Sequence, residues 1–96
     1  MAAIDINRRH SLGLDTAKER AEQLAKDLEH KLGITWRWEG NDIRFDAKSG
    51  AAKGVTGVVA VSGSDVRVAI DLPFFLKAMK GSISSKVEDK LDKLVV

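Results

Sequence analysis

Residues 72–94 read LPFFLKAMKGSISSKVEDKLDKL. Apolar residues recur there every three or four positions, and the six members of this stripe are Leu76, Met79, Ile83, Val87, Leu91 and Leu94. At about 100° per residue, the stripe falls within about 120° of one helical face. Pro73 suits the first turn of a helix, where its missing N–H donor is not needed. The stretch therefore predicts a long amphipathic helix that covers an apolar surface.

The composition is that of a small globular domain. The chain has 96 residues, which predicts a single domain over 1–96, and it has no cysteine for a disulfide or a thiolate nucleophile. Its 16 Lys and Arg residues are interspersed with 14 Asp and Glu residues, which argues against a nucleic-acid interface. Its start lacks a secretory pattern, and no apolar run reaches the ~20 residues that span a bilayer. We therefore expect a cytoplasmic protein without a transmembrane segment.

The residues before the terminal helix predict one helix and five strands. The first helix is expected to run to about Leu32, with Asp15 or Thr16 as its N-cap and Gly33 after its end. Strands are indicated by alternation of apolar and polar residues at about 4–9, 34–39, 43–46, 55–61 and 66–72. The strand at 55–61 has valines on both faces and is expected at the centre of the sheet. Residues 47–54 are expected to form a mobile loop. The predicted fold is α+β in the order β-α-β-β-β-β-α, an antiparallel sheet with one face covered by both helices.

The mouth of the terminal helix carries two adjacent phenylalanines. On a helix, Phe74 and Phe75 point about 100° apart, so both cannot face the core. Lys77 and Lys80 follow them, and lysine stems can lie along apolar surface while their ammonium groups stay in water. These four residues are the candidate interfacial anchor, which would contact an apolar surface or a partner.

The segment Trp36-Arg37-Trp38 places two indole rings on one face of a strand, with Arg37 opposite. Two tryptophans beneath a helix usually belong to the core. The alternative is that they line a cavity for an apolar ligand, together with Met79 and Ile83 of the terminal helix.

The sequence offers little for catalysis. His10 lies beside Ser11, but adjacency does not provide nucleophile geometry, and no glycine elbow frames the serine. We expect His10 to hydrogen-bond the backbone of a turn and His30 to be a solvated surface residue. Neither metal-ligand spacing nor a phosphate-binding glycine motif is present, so we predict no catalytic residue, no metal site and no cofactor.

The chain resembles a family of small bacterial proteins known as polyhydroxyalkanoic acid system proteins, which are linked to polyester storage granules. The segments that carry the resemblance are Arg9-His10-Ser11-Leu12-Gly13, Gly33-Ile34-Thr35-Trp36-Arg37-Trp38-Glu39-Gly40, Ile43-Arg44-Phe45, Gly57, Leu76-Lys77 and Gly81-Ser82-Ile83. The resemblance implies the context of the storage-polymer system and no established reaction. Together with the two phenylalanines of the terminal helix, it leads to the hypothesis of a non-enzymatic accessory protein that binds the polyhydroxyalkanoate granule surface or its coat proteins.

Two further hypotheses follow from the predicted fold. The order of elements is similar to a shortened helix-grip fold of the kind that holds apolar ligands, so the alternative function is a small carrier of an apolar or acyl molecule between the sheet and the C-terminal helix. The apolar stripe of that helix could also meet a second copy of the chain in a homodimer.

Overall fold

A computed structural model describes residues 3–50 and 52–94. The ends of the predicted domain and Ala51 of the predicted loop therefore lie outside the described residues. The elements run in this order: β1 Ile4–Arg9, α1 Leu14–Leu32, β2 Thr35–Glu39, β3 Asp42–Asp46, β4 Thr56–Val61, β5 Asp65–Asp71, a 3-10 helix Phe74–Met79 and α2 Lys80–Leu94.

The strands form one antiparallel sheet in the order β1-β5-β4-β3-β2. Hairpins join β2 to β3 and β4 to β5, whereas β1 reaches the sheet by pairing with β5, with Ile4 opposite Ile70. The valine-rich strand β4 lies at the centre, as its apolar residues on both faces predict. The α+β class and the antiparallel sheet are therefore confirmed.

Residues of the sheet that face the helices form rows across the strands. The first row contains Ile4, Ile70, Gly57, Phe45 and Trp36. The second row contains Ile6, Val68, Val59, Ile43 and Trp38. Because β2 is an edge strand, each tryptophan lies at the end of its row, where it is only half-buried. The other large side chains of both rows are buried in the core.

Helix α1 begins two or three residues earlier than its sequence signals predict. It starts at Leu14 with Gly13 as the N-cap, and no side chain caps it. The prediction that Asp15 or Thr16 is the N-cap was therefore wrong. Gly13 has a φ of 83°, a conformation that favours glycine, and its carbonyl accepts the first helical bond from Ala17 N–H. The helix ends as predicted, with Gly33 in the left-handed conformation at φ 69°.

The terminal helix is not α-helical throughout. Pro73 is extended rather than helical, and its carbonyl accepts a bond from Leu76 N–H at 2.9 Å, which opens a 3-10 helix. The α-helical part, α2, begins only at Lys80, next to Gly81. Side chains three apart line up on a 3-10 helix, so Leu76 aligns with Met79. The expectation of one continuous α-helix from Pro73 was therefore wrong for the stretch from Pro73 to Met79.

Both helices lie on the inner face of the sheet. Helix α1 crosses β2, β3, β4 and β5, while α2 packs against β1 and against α1. Arg8 of β1 anchors α2 through an ion pair with Asp92 at 2.7 Å. Lys90 of α2 pairs with Asp27 of α1 at 3.4 Å. The helix next to the tryptophan edge is therefore α1, and α2 lies at the opposite side.

The loop after β3, which its composition predicts to be mobile, has its two ends hydrogen-bonded to each other. Ala47 N–H donates to Val55 O, and Gly54 N–H donates to Ala47 O, both at 2.9 Å. Ala47 and Ala52 are buried. These small side chains allow the described part of the loop to fold against the sheet.

Candidate functional site

The 3-10 helix presents its aromatic residues to solvent. Phe74 is 88% exposed, Phe75 is 62% exposed and Met79 is 52% exposed. Lys77 and Lys80, the two lysines predicted to accompany the phenylalanines, are exposed as well. Among the described residues, only one other large hydrophobic side chain, Leu14, is exposed. Phe74, Phe75 and Lys77 thus come together on the 3-10 helix, and Lys80 follows as the first residue of α2.

A cavity of about 470 Å³ lies behind this helix. One wall is the first part of the terminal apolar stripe, from Leu76 to Val87. The opposite wall is the sheet, with Phe45 of β3 and Ile70 of β5, and the end of α1 closes one side. Its volume falls within the range of about 300–1,000 Å³ that is typical of small-molecule sites.

The cavity is apolar inside and basic at its rim. Eleven of its fourteen lining residues are apolar, and the others are Lys31, Ser82 and Lys86. All three of these polar residues are exposed, which places them at the opening rather than at the bottom. Of the predicted ligand-binding residues, Met79 and Ile83 line the cavity.

The two tryptophans do not line this cavity. The indole N–H of Trp36 donates to Glu29 at 2.8 Å, and that of Trp38 donates to Glu22 at 3.1 Å, so both rings are held by α1. Lys18 Nζ lies 5.1 Å from the centre of the Trp38 ring. The structure thus does not bring the tryptophans together with Met79 and Ile83. The reason is strand order, since β2 and α2 lie at opposite sides of the fold.

Sequence reasoning missed the residues that replace the tryptophans in the sheet wall. Phe45 and Ile70 occupy the same row as Trp36, with Gly57 between them. A glycine within a valine-rich strand was the available signal, because it indicates a close contact with a large neighbour. The contact is present, and the unbroken register of β4 shows no bulge.

His10 is buried in the turn between β1 and α1, and both of its ring nitrogens are occupied. Leu12 N–H donates to Nδ1 at 3.1 Å, so Nε2 carries the proton and donates to Ser62 O at 2.9 Å. His10 N–H also donates to Ser64 O. The predicted structural role in a turn is confirmed. The imidazole has no free nitrogen for accepting a proton from Ser11, and His30 is exposed as expected.

The outer face of the sheet carries paired charges. Arg67 donates two hydrogen bonds to the carboxylate of Asp5, one of them at 2.8 Å. These hydrogen bonds lower the pKa of Asp5 and raise that of Arg67. Arg37 and Arg44 both pair with Glu39, at 2.8 and 3.0 Å. This face therefore presents alternating charges rather than a basic patch.

The described residues contain neither a bilayer-spanning helix nor a cluster of metal-binding side chains. The helices there all lack the length and apolar character that a bilayer-spanning segment requires. No three His, Asp or Glu side chains of residues 3–50 and 52–94 lie close enough together to hold a metal ion.

Comparison with known proteins identifies a family. No curated protein and no solved structure matches the chain. One family model, described as "Putative polyhydroxyalkanoic acid system protein", matches residues 4–95, nearly the whole chain. The match covers β1, both helices and the entire sheet. The chain therefore belongs to the family of polyhydroxyalkanoic acid system proteins.

Proposed function

We propose that this protein is a non-enzymatic, cytoplasmic accessory protein that attaches to the surface of polyhydroxyalkanoate granules through its 3-10 helix. The observation that carries the proposal is the exposure of Phe74 and Phe75 beside two lysines. Family membership supplies the context of the storage-granule system.

The chemistry of the 3-10 helix suits an apolar surface better than water. Removing one phenylalanine side chain from water contributes about 1.5–3 kcal/mol. Lys77 follows Phe74 by three positions, so both point to the same side of a 3-10 helix. Its stem can lie on the apolar surface while the ammonium stays hydrated. This arrangement is typical of an interfacial anchor.

The family offers two classes of contact, the granule surface and its coat proteins, and the aromatic anchor favours the surface. Cosedimentation with native granules and with protein-free polyester particles separates them. We expect the protein to bind both kinds of particle. Binding to native granules alone would contradict surface attachment and favour a coat protein.

A double variant tests the residues themselves. Phe74→Ser/Phe75→Ser is expected to lower the affinity for both particles by at least about 100-fold, since the bound protein no longer buries two phenylalanine side chains in the particle surface. Leu14→Ser is the matched control, because Leu14 is an exposed apolar residue outside the 3-10 helix. Equal recovery of the wild type and the double variant would remove the proposed contact.

A second candidate function is a carrier of an apolar molecule, and the cavity of about 470 Å³ favours it. The apolar stripe of the terminal helix lines this cavity from Leu76 to Val87.

The C-terminal half of the same stripe bears on homodimerisation. Since Val87 and Leu91 are buried in the core, this half is not available for pairing with a second copy. Homodimerisation through that half is therefore not proposed.

A further inference from the structure

We infer that the cavity binds an aliphatic monocarboxylate, with its hydrocarbon chain inside and its carboxylate at Lys31 and Lys86. The inference rests on the second proposed function, that the cavity holds an apolar molecule. It adds the chemical class of the ligand and the residues that recognise its head group.

The interior suits a hydrocarbon chain. The lining residues of the two walls are aliphatic or aromatic, and those at the bottom, such as Val55 and Ile70, are buried almost completely. No carboxylate lines the cavity among the described residues. A polar or charged group placed inside would lose its hydration without gaining a partner. The head group of a ligand must therefore lie at the opening.

The opening carries positive charge. Lys31 comes from the last turn of α1 and Lys86 from the middle of α2, so the two lysines belong to different helices that border the same cavity. Asp27, one turn before Lys31, is engaged by Lys90 at 3.4 Å. Neither rim lysine forms an ion pair with a residue that the structure describes. The complementary head group is an anion, and a carboxylate is the anion that a single hydrocarbon chain most simply carries.

The third polar residue of the rim supports the same orientation. Ser82 precedes Lys86 by four positions on α2, so both lie on the same side of the helix. Its hydroxyl can donate a hydrogen bond to a carboxylate that the lysines attract. The carboxylate therefore lies at the opening of the cavity, and the hydrocarbon chain extends towards its bottom.

The test compares two ligands of the same chain length, octanoate and octan-1-ol, by isothermal titration calorimetry at neutral pH and low salt. We expect octanoate to bind about 10-fold more tightly, because two partly exposed charge contacts each contribute only modestly. The double variant Lys31→Gln/Lys86→Gln is expected to remove this difference without weakening octan-1-ol. Lys48→Gln/Lys93→Gln is the control, because it removes the same charge from exposed lysines that do not line the cavity.

A third variant tests whether both ligands bind in this cavity. Ser82→Phe places a ring at the mouth of the cavity and is expected to reduce binding of both ligands, whereas Ser85→Phe, at an exposed position outside the lining, is not. Equal binding of both ligands in the wild type would overturn carboxylate recognition and leave the carrier function standing. If neither ligand bound to the wild type, both carboxylate recognition and the carrier function would be overturned. Two-dimensional NMR of the wild type locates the bound ligand through shifts at Lys31, Met79 and Lys86, and shifts confined to other residues would also overturn the assignment.

Discussion

The ring of Phe45 lies directly over Gly57 on the neighbouring strand. A Cβ atom added at Gly57 would stand 2.3 Å from Cζ of Phe45 and 2.7 Å from the carbonyl oxygen of Ala69. The absence of a side chain at this position thus leaves room for the Phe45 ring in the row that forms the sheet wall of the cavity. The same contact links the packing of the central strand to the shape of the candidate ligand site.

Gly57→Ala is therefore expected to destabilise the protein. The ring of Phe45 must shift, and the backbone oxygen on the other side cannot easily retreat, so the expected cost is about 1–3 kcal/mol of unfolding free energy. Urea unfolding followed by circular dichroism measures it. Gly63→Ala is the control, since nothing lies within 4 Å of a Cβ added there. Equal stabilities of the two variants would contradict the close contact.

Replacing Gly81 is expected to have the opposite effect. Gly81 lies in α2, and a Cβ added there meets nothing within 4 Å. Alanine loses less backbone entropy on forming a helix, so Gly81→Ala is expected to stabilise the protein by about 0.5–1 kcal/mol. Thermal unfolding provides the measurement. Gly33→Ala should instead destabilise, because Gly33 has a φ of 69° that alanine rarely adopts. A loss of stability in the Gly81 variant would show that this glycine is needed where the 3-10 helix gives way to α2.

His10→Ala is expected to cost about 2–3 kcal/mol of unfolding free energy. The substitution removes a buried ring and leaves both Leu12 N–H and Ser62 O without their side-chain partner. The turn before α1 would then lose its connection to the turn between β4 and β5. Chemical denaturation of His30→Ala serves as the comparison, because His30 is exposed and its replacement should change stability by less than about 0.5 kcal/mol. If the two variants were equally stable, His10 would not have the structural role assigned to it.

The Asp5 carboxylate is expected to titrate below its ordinary range. Hydrogen bonds from Arg67 lower its pKa in the folded protein, so the pair stabilises the fold above the ordinary carboxyl pKa. That contribution is lost as the pH falls through the lowered value. An NMR titration of the Asp5 side chain should show a midpoint that moves up in Arg67→Gln but not in Arg44→Gln. An unchanged midpoint in the Arg67 variant would contradict the pairing.

Local patterns in the sequence were sufficient for most of the secondary structure. Alternation of apolar and polar residues places Trp36 and Trp38 on the inner face, because successive side chains of a strand point to opposite faces. Helix α1 ends at Gly33 because glycine, which has no Cβ atom, adopts the left-handed conformation without steric cost. The N-cap of α1 was missed, since Gly13 adopts a φ of 83° that lets the helix begin at Leu14, before Asp15 and Thr16, without a side-chain cap.

The candidate site was harder to predict because it depends on contacts between distant residues. The spacing of Met79 and Ile83 indicates that they share a face, and both do line the cavity. The spacing contains no information on which strand that face meets. Exposure of Phe74 was likewise undecided, because it depends on whether other parts of the chain cover the start of the terminal helix.

The sequence by itself determined most of the elements and their inner faces, since these depend on residues close together in the chain, and segments along nearly its whole length indicated the family. Only the tertiary structure decided that β1 pairs with β5, that α1 rather than α2 covers the tryptophans, and that Lys31 and Lys86 line the same cavity. The physical reason is that strand order and helix placement are set by packing between segments far apart in sequence. Periodicity indicates which face of a segment is apolar, but it does not indicate which other segment packs against that face.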